Sequence, residues 1–559
     1  DAFVIAQLRA AGAILIGLTN MPPMAAGGMQ RGLFGRAESP YNAAFLTAAF
    51  ASGSSNGSGS GLAAGFAAFA LAEETWSSGR APATNNGLVA YTPSRGMISM
   101  RGNWPLIPTM DVVVPYARSV ADLLEVLNVL VTDDPHTRGD FWRAQQAVPM
   151  TPASAQRPID YTALIDSHAL RGKRLGVPRM YINKDADSAR PIATRPSVID
   201  CWHNAAAALV AAGAEIVEVD FPLVSNYEKD RPGAQTMAER GLAPAEFAHA
   251  EGFDAIIFAW DDFLAANDDP QLKRLTDVAP DLIIPRLPGA QRDRYEGIPD
   301  FGDYAKAAQA GVTPLNDIPH LADGLRGLEA TRELDFEAWL DAQRLDMLVF
   351  PAVADIAPAD ADYNPRSADI AWRNGTWVAN GNQAIRHFGI PTVTVPMGTL
   401  ADIHMPIGLT FAGRAYDDAQ LLRAASAFEQ NTRQRRAAPR TPPLPDDGAL
   451  PAARMIATTP LPVLKLDAQL SAVADDGTVS ITVSGSASAA LHDLKLFVNG
   501  EAQSVQREGN DFHATVRLPF DTHYALHSRW RGPYGSLVMA QAEDVHGACA
   551  ASYVVVGGV

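Results

Sequence analysis

Over residues 1–436, helically spaced apolar positions alternate with short apolar runs. DAFVIAQLRAAGA sets Val4, Ile5 and Leu8 along one side of a helix, and AILIGLTN (Ala13 to Asn20) follows as a strand-like run. A helix ending near Ala212 leads into AEIVEVDFP (Ala214 to Pro222), and further runs stand at LDMLVFP (Leu345 to Pro351) and IPTVTVP (Ile390 to Pro396). This alternation predicts an α/β core with strands buried between helices. GLAAGFAAFALA (Gly61 to Ala72) reads as a buried core helix, too short for the roughly 18 to 20 residues of a membrane span. Residues 226–335 lack strong strand patterns and are expected to form a helical cap over a substrate site.

The texture then changes. Residues 437–462 are dense in proline and read as a linker. In residues 463–559, TVSITVSGS, LKLFVNGE, FHATVRLP, SLVMAQAED and ASYVVVG are short alternating runs parted by Asp-Gly, Asn-Gly and Gly-Asn turns. They predict an all-β, immunoglobulin-like sandwich. The sequence is thus expected to hold at least two domains, as its 559 residues require.

Charge narrows the function classes. The formal net charge of −17 argues against a nucleic-acid surface. The local exception, Arg433, Arg435, Arg436 and Arg440, reads as a solvated helix end. Two distant cysteines, Cys201 and Cys549, exclude a disulfide framework and a CxxC zinc site. The histidines form no HExxH or HxH pattern, so neither a metal nor a cofactor is expected. Asp133-Asp134, Asp261-Asp262 and Asp268-Asp269 read as solvated ends of loops or helices, not as paired general acids. The chain opens on Asp1 within a helical pattern, which reads as the loss of an N-terminal segment.

The Gly- and Ser-rich stretch from Ser52 to Gly61 admits three readings. A flexible linker would be followed by a fresh domain, yet core-like sequence follows at once. A phosphate cradle lacks the lysine of GxxxxGK[ST] and the Rossmann spacing. The third reading is nucleophilic catalysis, which needs an exposed serine hydroxyl, a base, and N–H donors for an oxyanion. Two serine turns, Gly53-Ser54-Ser55 and Trp76-Ser77-Ser78, could meet at one pole of the core, with Arg80 as a nearby fixed charge.

GSSNGSGSGLAAGFAAFALAEETWSSGRAPA resembles the amidase signature, GGSSGGS…GTDTGGSIRxPA. The flanks agree. LTNMPPMA is similar to KTNMPEFA, and TPSRGMISMRGNWPLIPTMDVVVPYARSVADLLEVL is similar to the block LKPTRGRVSxxGxxPLxxSLDTxGPxARSVxDxAxLL. KRLGVPR, FGIPTVTVPMG and MPIGLTFAG also fit, so the resemblance runs to about residue 430. It implies an α/β/α core with a mixed sheet and a hydrolase of amides, some family members taking esters or carbamates.

Carried over, Ser78 falls on the nucleophile and Ser54 on the bridging cis-serine of a Ser–cis-Ser–Lys triad with an acyl-enzyme intermediate. Thr75, Trp76 and Ser77 fall on the oxyanion turn, with Ser55 and Arg80 in support. Met24, Trp76 and Trp377 are carried over as substrate-binding, with Trp372 and Asn382 on the same wall. The resemblance implies a cis Gly53–Ser54 peptide. The pattern also departs from the family. No lysine precedes Lys173, which aligns with a structural strand start, so the family's lysine is expected upstream of Asp1. WSSGR replaces GGSIR, so Trp76 either lines the acyl pocket or turns away from it. Expected partners are a small-molecule amide and, as an open option, a second copy of the chain. Nucleic acid and a membrane span are not expected, and the β-rich tail points to export. The alternative reading is a silent binding protein that retains the fold; a component of an amidotransferase ranks below it.

Overall fold

Eight strands organise the N-terminal unit: β1 (Phe69–Glu74), β2 (Val89–Thr92), β3 (Val112–Ala117), β4 (Arg174–Pro178), β5 (Glu215–Val219), β6 (Met347–Pro351), β7 (Thr392–Thr399) and β8 (Pro406–Ala412). They form one sheet in the order β1-β3-β2-β7-β8-β6-β4-β5. β4 runs parallel to β5 and β6, and the other pairings are antiparallel, so the sheet is mixed. This computed structural model describes residues 1–25, 37–50, 52–283, 294, 300–375, 379–442, 462–520 and 534–558. The chain divides into two compact units, Asp1–Pro442 and Pro443–Val559.

β6 shows why the central strands read as continuous apolar runs. Met347 and Val349 face one hydrophobic cluster, while Leu348 and Phe350 face another on the opposite side. A strand covered on both faces has no solvent side to make polar. The helices Val120–Leu130 and Pro196–Ala211 pack on the first face, burying Leu123, Leu127, Val198 and Leu209. Helices from residues 226–335 pack on the second, and no strand falls among the described residues of that stretch.

Two predicted elements differ. Gly61 to Ala72 is not one helix. The helix Asn56–Ala63 ends there, Gly65 turns the chain at φ +87°, and β1 follows. β1 gains a full ladder against β3, from Phe69 opposite Ala117 to Glu74 opposite Val112, and that pairing overrides local helical preference. The predicted strand at Ala13 to Asn20 does not form. Among the described residues, Ile14 to Leu18 make no ladder hydrogen bonds, and Leu18 is 95% exposed. An apolar run becomes a strand only where a neighbouring backbone accepts it.

Two of the acidic pairs also depart from a solvated role. Asp134 is buried and takes Arg101 and Arg143 at 2.7 and 3.3 Å. Asp261 is buried under Arg274 at 2.6 Å. Each carboxylate ties a loop down rather than facing water.

The C-terminal unit holds two four-stranded antiparallel sheets. One joins Gln506–Glu508, Asp511–Pro519, Thr478–Ala487 and Leu464–Leu470; the other joins Glu501–Gln503, Leu491–Val498, Tyr534–Asp544 and Cys549–Gly558. Ile481 and Val483 of the first share one cluster with Leu496 and Val538 of the second. Residues 443–461 of the proline-rich linker lie outside the described residues.

Candidate active site

Three consecutive elements build the site. The helix α1 (Asn56–Ala63) carries the Gly- and Ser-rich segment, β1 runs back beside it, and a turn leads into α2 (Arg80–Asn85). Serines clip α1 to the edge of β1. Ser55 Oγ donates to the Glu73 carbonyl at 3.0 Å and accepts the Glu73 N–H at 3.1 Å, and Ser58 Oγ donates to the Leu71 carbonyl at 2.8 Å. Gly53 is required at the loop: a Cβ there would lie 2.6 Å from Ala48 Cβ and 2.8 Å from the Ala49 nitrogen.

The two serine turns meet. The Ser54 N–H donates to Ser78 Oγ at 3.0 Å. Ser52 Oγ and Ser77 Oγ lie 2.7 Å apart, and Ser77 Oγ also donates to the Ser52 carbonyl at 2.9 Å. Ser77 is therefore a buried strut, whereas Ser78 presents its hydroxyl to the loop. The Gly53–Ser54 peptide is trans, which corrects the cis bond implied by the resemblance. With this bond trans, Ser54 meets Ser78 through its amide hydrogen. The Ser77 and Ser78 amides make no hydrogen bonds among the described residues.

Glu74 organises the turn. One carboxylate oxygen accepts the N–H groups of Gly79 and Arg80 at 2.9 and 2.8 Å, and the other accepts Arg80 Nε at 3.0 Å. Both side chains are fully buried. Arg80 also donates to the carbonyls of Asn380 and Trp76. From the other side, the Tyr116 hydroxyl bonds the carbonyls of Ser78 and Gly79. The backbone on either side of Ser78 is thus held by side chains.

A second carboxylate anchors the start of the turn, where Thr75 Oγ1 donates to Asp111 Oδ1 at 2.6 Å. Burial pushes the Asp111 carboxyl well above its ordinary range. Glu73 is raised likewise, first by burial and then by Asp111. The Arg386 guanidinium, bonded to the Met110 carbonyl, is lowered to about 10 by burial. Sequence reasoning passed over Glu74, Asp111 and Tyr116. The signal available for Glu74 was its place on the acidic position of GTDTGGSIR.

The match to known proteins covers this machinery. The model of the family described as Amidase matches residues 1–276. Residues 1–276 belong to the Amidase family. The protein is accordingly a hydrolase acting on amide bonds. It is 29% identical over 435 residues to the A subunit of the glutamyl-tRNA(Gln) amidotransferase from Anaeromyxobacter sp. (strain K), covering 77% of this chain and 76% of the relative. The corresponding protein of Heliobacterium modesticaldum is 26% identical over 435 residues, 77% of each chain. Among solved structures, the native peptide amidase of Stenotrophomonas maltophilia aligns with a TM-score of 0.52 and 26% identity over 78% of each chain.

The other expected site residues are distributed more widely. Met24, at φ +58°, packs against the cluster of Ile256, Trp260 and Tyr304 in the helical segment. Trp76 is half-buried, and its carbonyl takes Arg80 Nη2 at 2.7 Å. Trp372 is buried beside Leu46 and Phe50, in edge contact with the Phe50 ring at 6.0 Å. Asn382 begins a short helix, Asn382–His387. Trp377 lies outside the described residues. Lys173 meets Asp346 at 2.8 Å at the start of β4, a structural ion pair. The unit's other four lysines pair with carboxylates as well: Lys184 with Glu218, Lys229 with Glu239, Lys273 with Asp268 and Lys306 with Asp303. No helix among the described residues is long and apolar enough to cross a membrane.

Proposed function

We propose that the protein hydrolyses a carboxylic amide through an acyl-enzyme formed on Ser78. The observation that carries this reading is the Ser54 N–H on Ser78 Oγ at 3.0 Å, in a turn whose Ser77 and Ser78 amides make no hydrogen bond among the described residues. Ser78 Oγ attacks the amide carbonyl, and the carbonyl oxygen gathers charge in front of amides from the Thr75–Ser78 turn. In the proposed relay the Ser54 hydroxyl passes the serine proton to a base and returns it to the leaving amine. In the family pattern that base is a lysine; none of the five lysines of this unit takes the role, since each is paired elsewhere.

Arg80 and Glu74 support the reading by holding the turn before substrate arrives, so that little reorganisation remains for the transition state. The helical segment of residues 226–335 would cap the substrate, and residues 463–559 would form an immunoglobulin-like sandwich, with residues 437–462 as the link. The peptide amidase likeness favours a peptide-type carboxamide as the first substrate to assay. The amidotransferase relatives make a partner chain the first assembly to test.

Two measurements on the full chain test the proposal. A fluorophosphonate probe should label Ser78, and Ser78→Ala should abolish labelling and lower kcat by at least about a thousandfold. Wild-type turnover in Ser78→Ala would overturn the nucleophile. Failure of the intact protein to react with the probe or with any amide would favour the silent binding protein instead.

A further inference from the structure

A small cavity behind Arg80 has an unusual lining. Its volume is about 20 Å³, room for one water-sized group. Ile192, Val224 and Met180 supply apolar walls, and Tyr181 and Gly381 close one side. The charged lining is Asp185, Asp230, Glu228 and Arg190. Asp185 and Asp230 are spoken for, since both share the Arg231 guanidinium, at 2.6 Å and at 2.9 to 3.0 Å. Glu228 accepts no hydrogen bond among the described residues. With Glu228 ionised, three carboxylates face two guanidinium groups, Arg190 and Arg231, which leaves one negative charge in excess.

We propose that this cavity binds a primary ammonium group, with Glu228 as its counter-charge. Size and charge select the ligand. An anion would meet the excess carboxylate, a guanidinium is too large for a water-sized space, and a neutral group gains nothing from the charge. An ammonium head fits, and its alkyl stem would leave through the open side of the cavity.

Burial raises Glu228 to about 8; Arg190 opposes that rise and Asp230 adds to it. Asp185, Arg231, Tyr181 and Tyr227 are the further charged and titratable groups named around it. At neutral pH the cavity therefore holds a proton on Glu228, which an ammonium must displace. Binding should strengthen as pH rises through about 8 and fade as the amine itself deprotonates near about 10.

Hydrogen bonds link the cavity wall to the turn that carries Ser78. Tyr181 Oη accepts the Gly381 N–H at 2.9 Å, and the neighbouring Asn380 carbonyl accepts from Arg80, which in turn holds the Trp76 carbonyl. The ammonium could come from the substrate's own tail or from a free amine acting on the turn, and the test separates these sources. Only the kinetic arm rests on the amide-hydrolase reading.

Calorimetric titration of n-butylammonium into the full chain, in two buffers of different ionisation heat, should show binding with proton release at about pH 7. Glu228→Gln should weaken it by at least about tenfold, Glu228→Asp should restore part of it, and n-butanol should not bind. Equal affinity in wild type and Glu228→Gln, both with unchanged melting temperature, would overturn the proposal, as would butanol binding as well as the amine. In the kinetic arm, 5-aminopentanamide should be favoured over hexanamide, and lose that preference in Glu228→Gln, if the substrate supplies the ammonium. A change in kcat for hexanamide on adding butylammonium would identify a free amine. Butylammonium binding without any turnover would count against the hydrolase reading and leave the cavity assignment standing.

Discussion

Glu74 and Arg80 are completely buried, and an ion pair in that position is worth keeping only when hydrogen bonds satisfy the rest of both groups. Here they do: Glu74 takes two backbone amides as well as Arg80 Nε, and Arg80 reaches two carbonyls. Glu74→Gln keeps the shape but leaves Arg80 charged without its partner. The variant should lose about 3 to 5 kcal/mol in urea unfolding and lower kcat more than it changes KM. An unchanged kcat would separate the pair from the chemistry. Ser54 and Ser78 were legible in the sequence because the motif fixes their separation along the chain. Glu74 was not singled out, because one acidic residue beside another looks like solvated surface until the fold buries it. Ser77 adds a contact that the motif does not announce: its hydroxyl bonds Ser52 and pins the two serine turns together.

Elements in this unit pack closely enough for single glycines to decide their spacing. Gly324 lies in the helix Leu321–Arg332, and a Cβ there would stand 1.8 Å from the Phe247 ring. Alanine improves helix propensity by about 1 kcal/mol, whereas displacing a buried ring costs about 1 to 3 kcal/mol. The clash should win, so Gly324→Ala should melt below wild type in a thermal scan; equal or higher stability would show that the helix shifts freely. The same sensitivity to neighbours explains the mispredicted elements. Phe69 to Glu74 has the small, apolar composition of a helix and becomes a strand because β3 offers a ladder. Ala13 to Asn20 has the composition of a strand, and no described backbone pairs with its apolar stretch.

For the molecule as a whole, buried carboxyls link stability to pH. Glu429, on the helix Asp418–Thr432, accepts the Val120 N–H at 2.8 Å, yet burial raises it to about 7 from an ordinary 4.5. The folded protein therefore holds this proton more tightly than the unfolded chain. The resulting stabilisation is complete below about pH 4.5 and is lost as pH rises through about 7. Glu429→Gln should flatten that decline by on the order of 2 kcal/mol, read from unfolding midpoints between those pH values. An unaltered slope would mean that Glu429 titrates normally.

The alternation of apolar runs and helical spacing determined the class of each unit, because a strand buried on both faces must be apolar throughout and a strand with one wet face must alternate. The amidase motif likewise determined which serines to examine, since the chemistry needs a hydroxyl at a set distance along the chain from its neighbours. Neither could say that Ser54 would meet Ser78 through its amide, that Glu74 would hold the turn, or that Asp111 would anchor Thr75. Those contacts join residues brought together by the sheet, and the burial that gives them their strength and shifts their protonation exists only once the layers have closed.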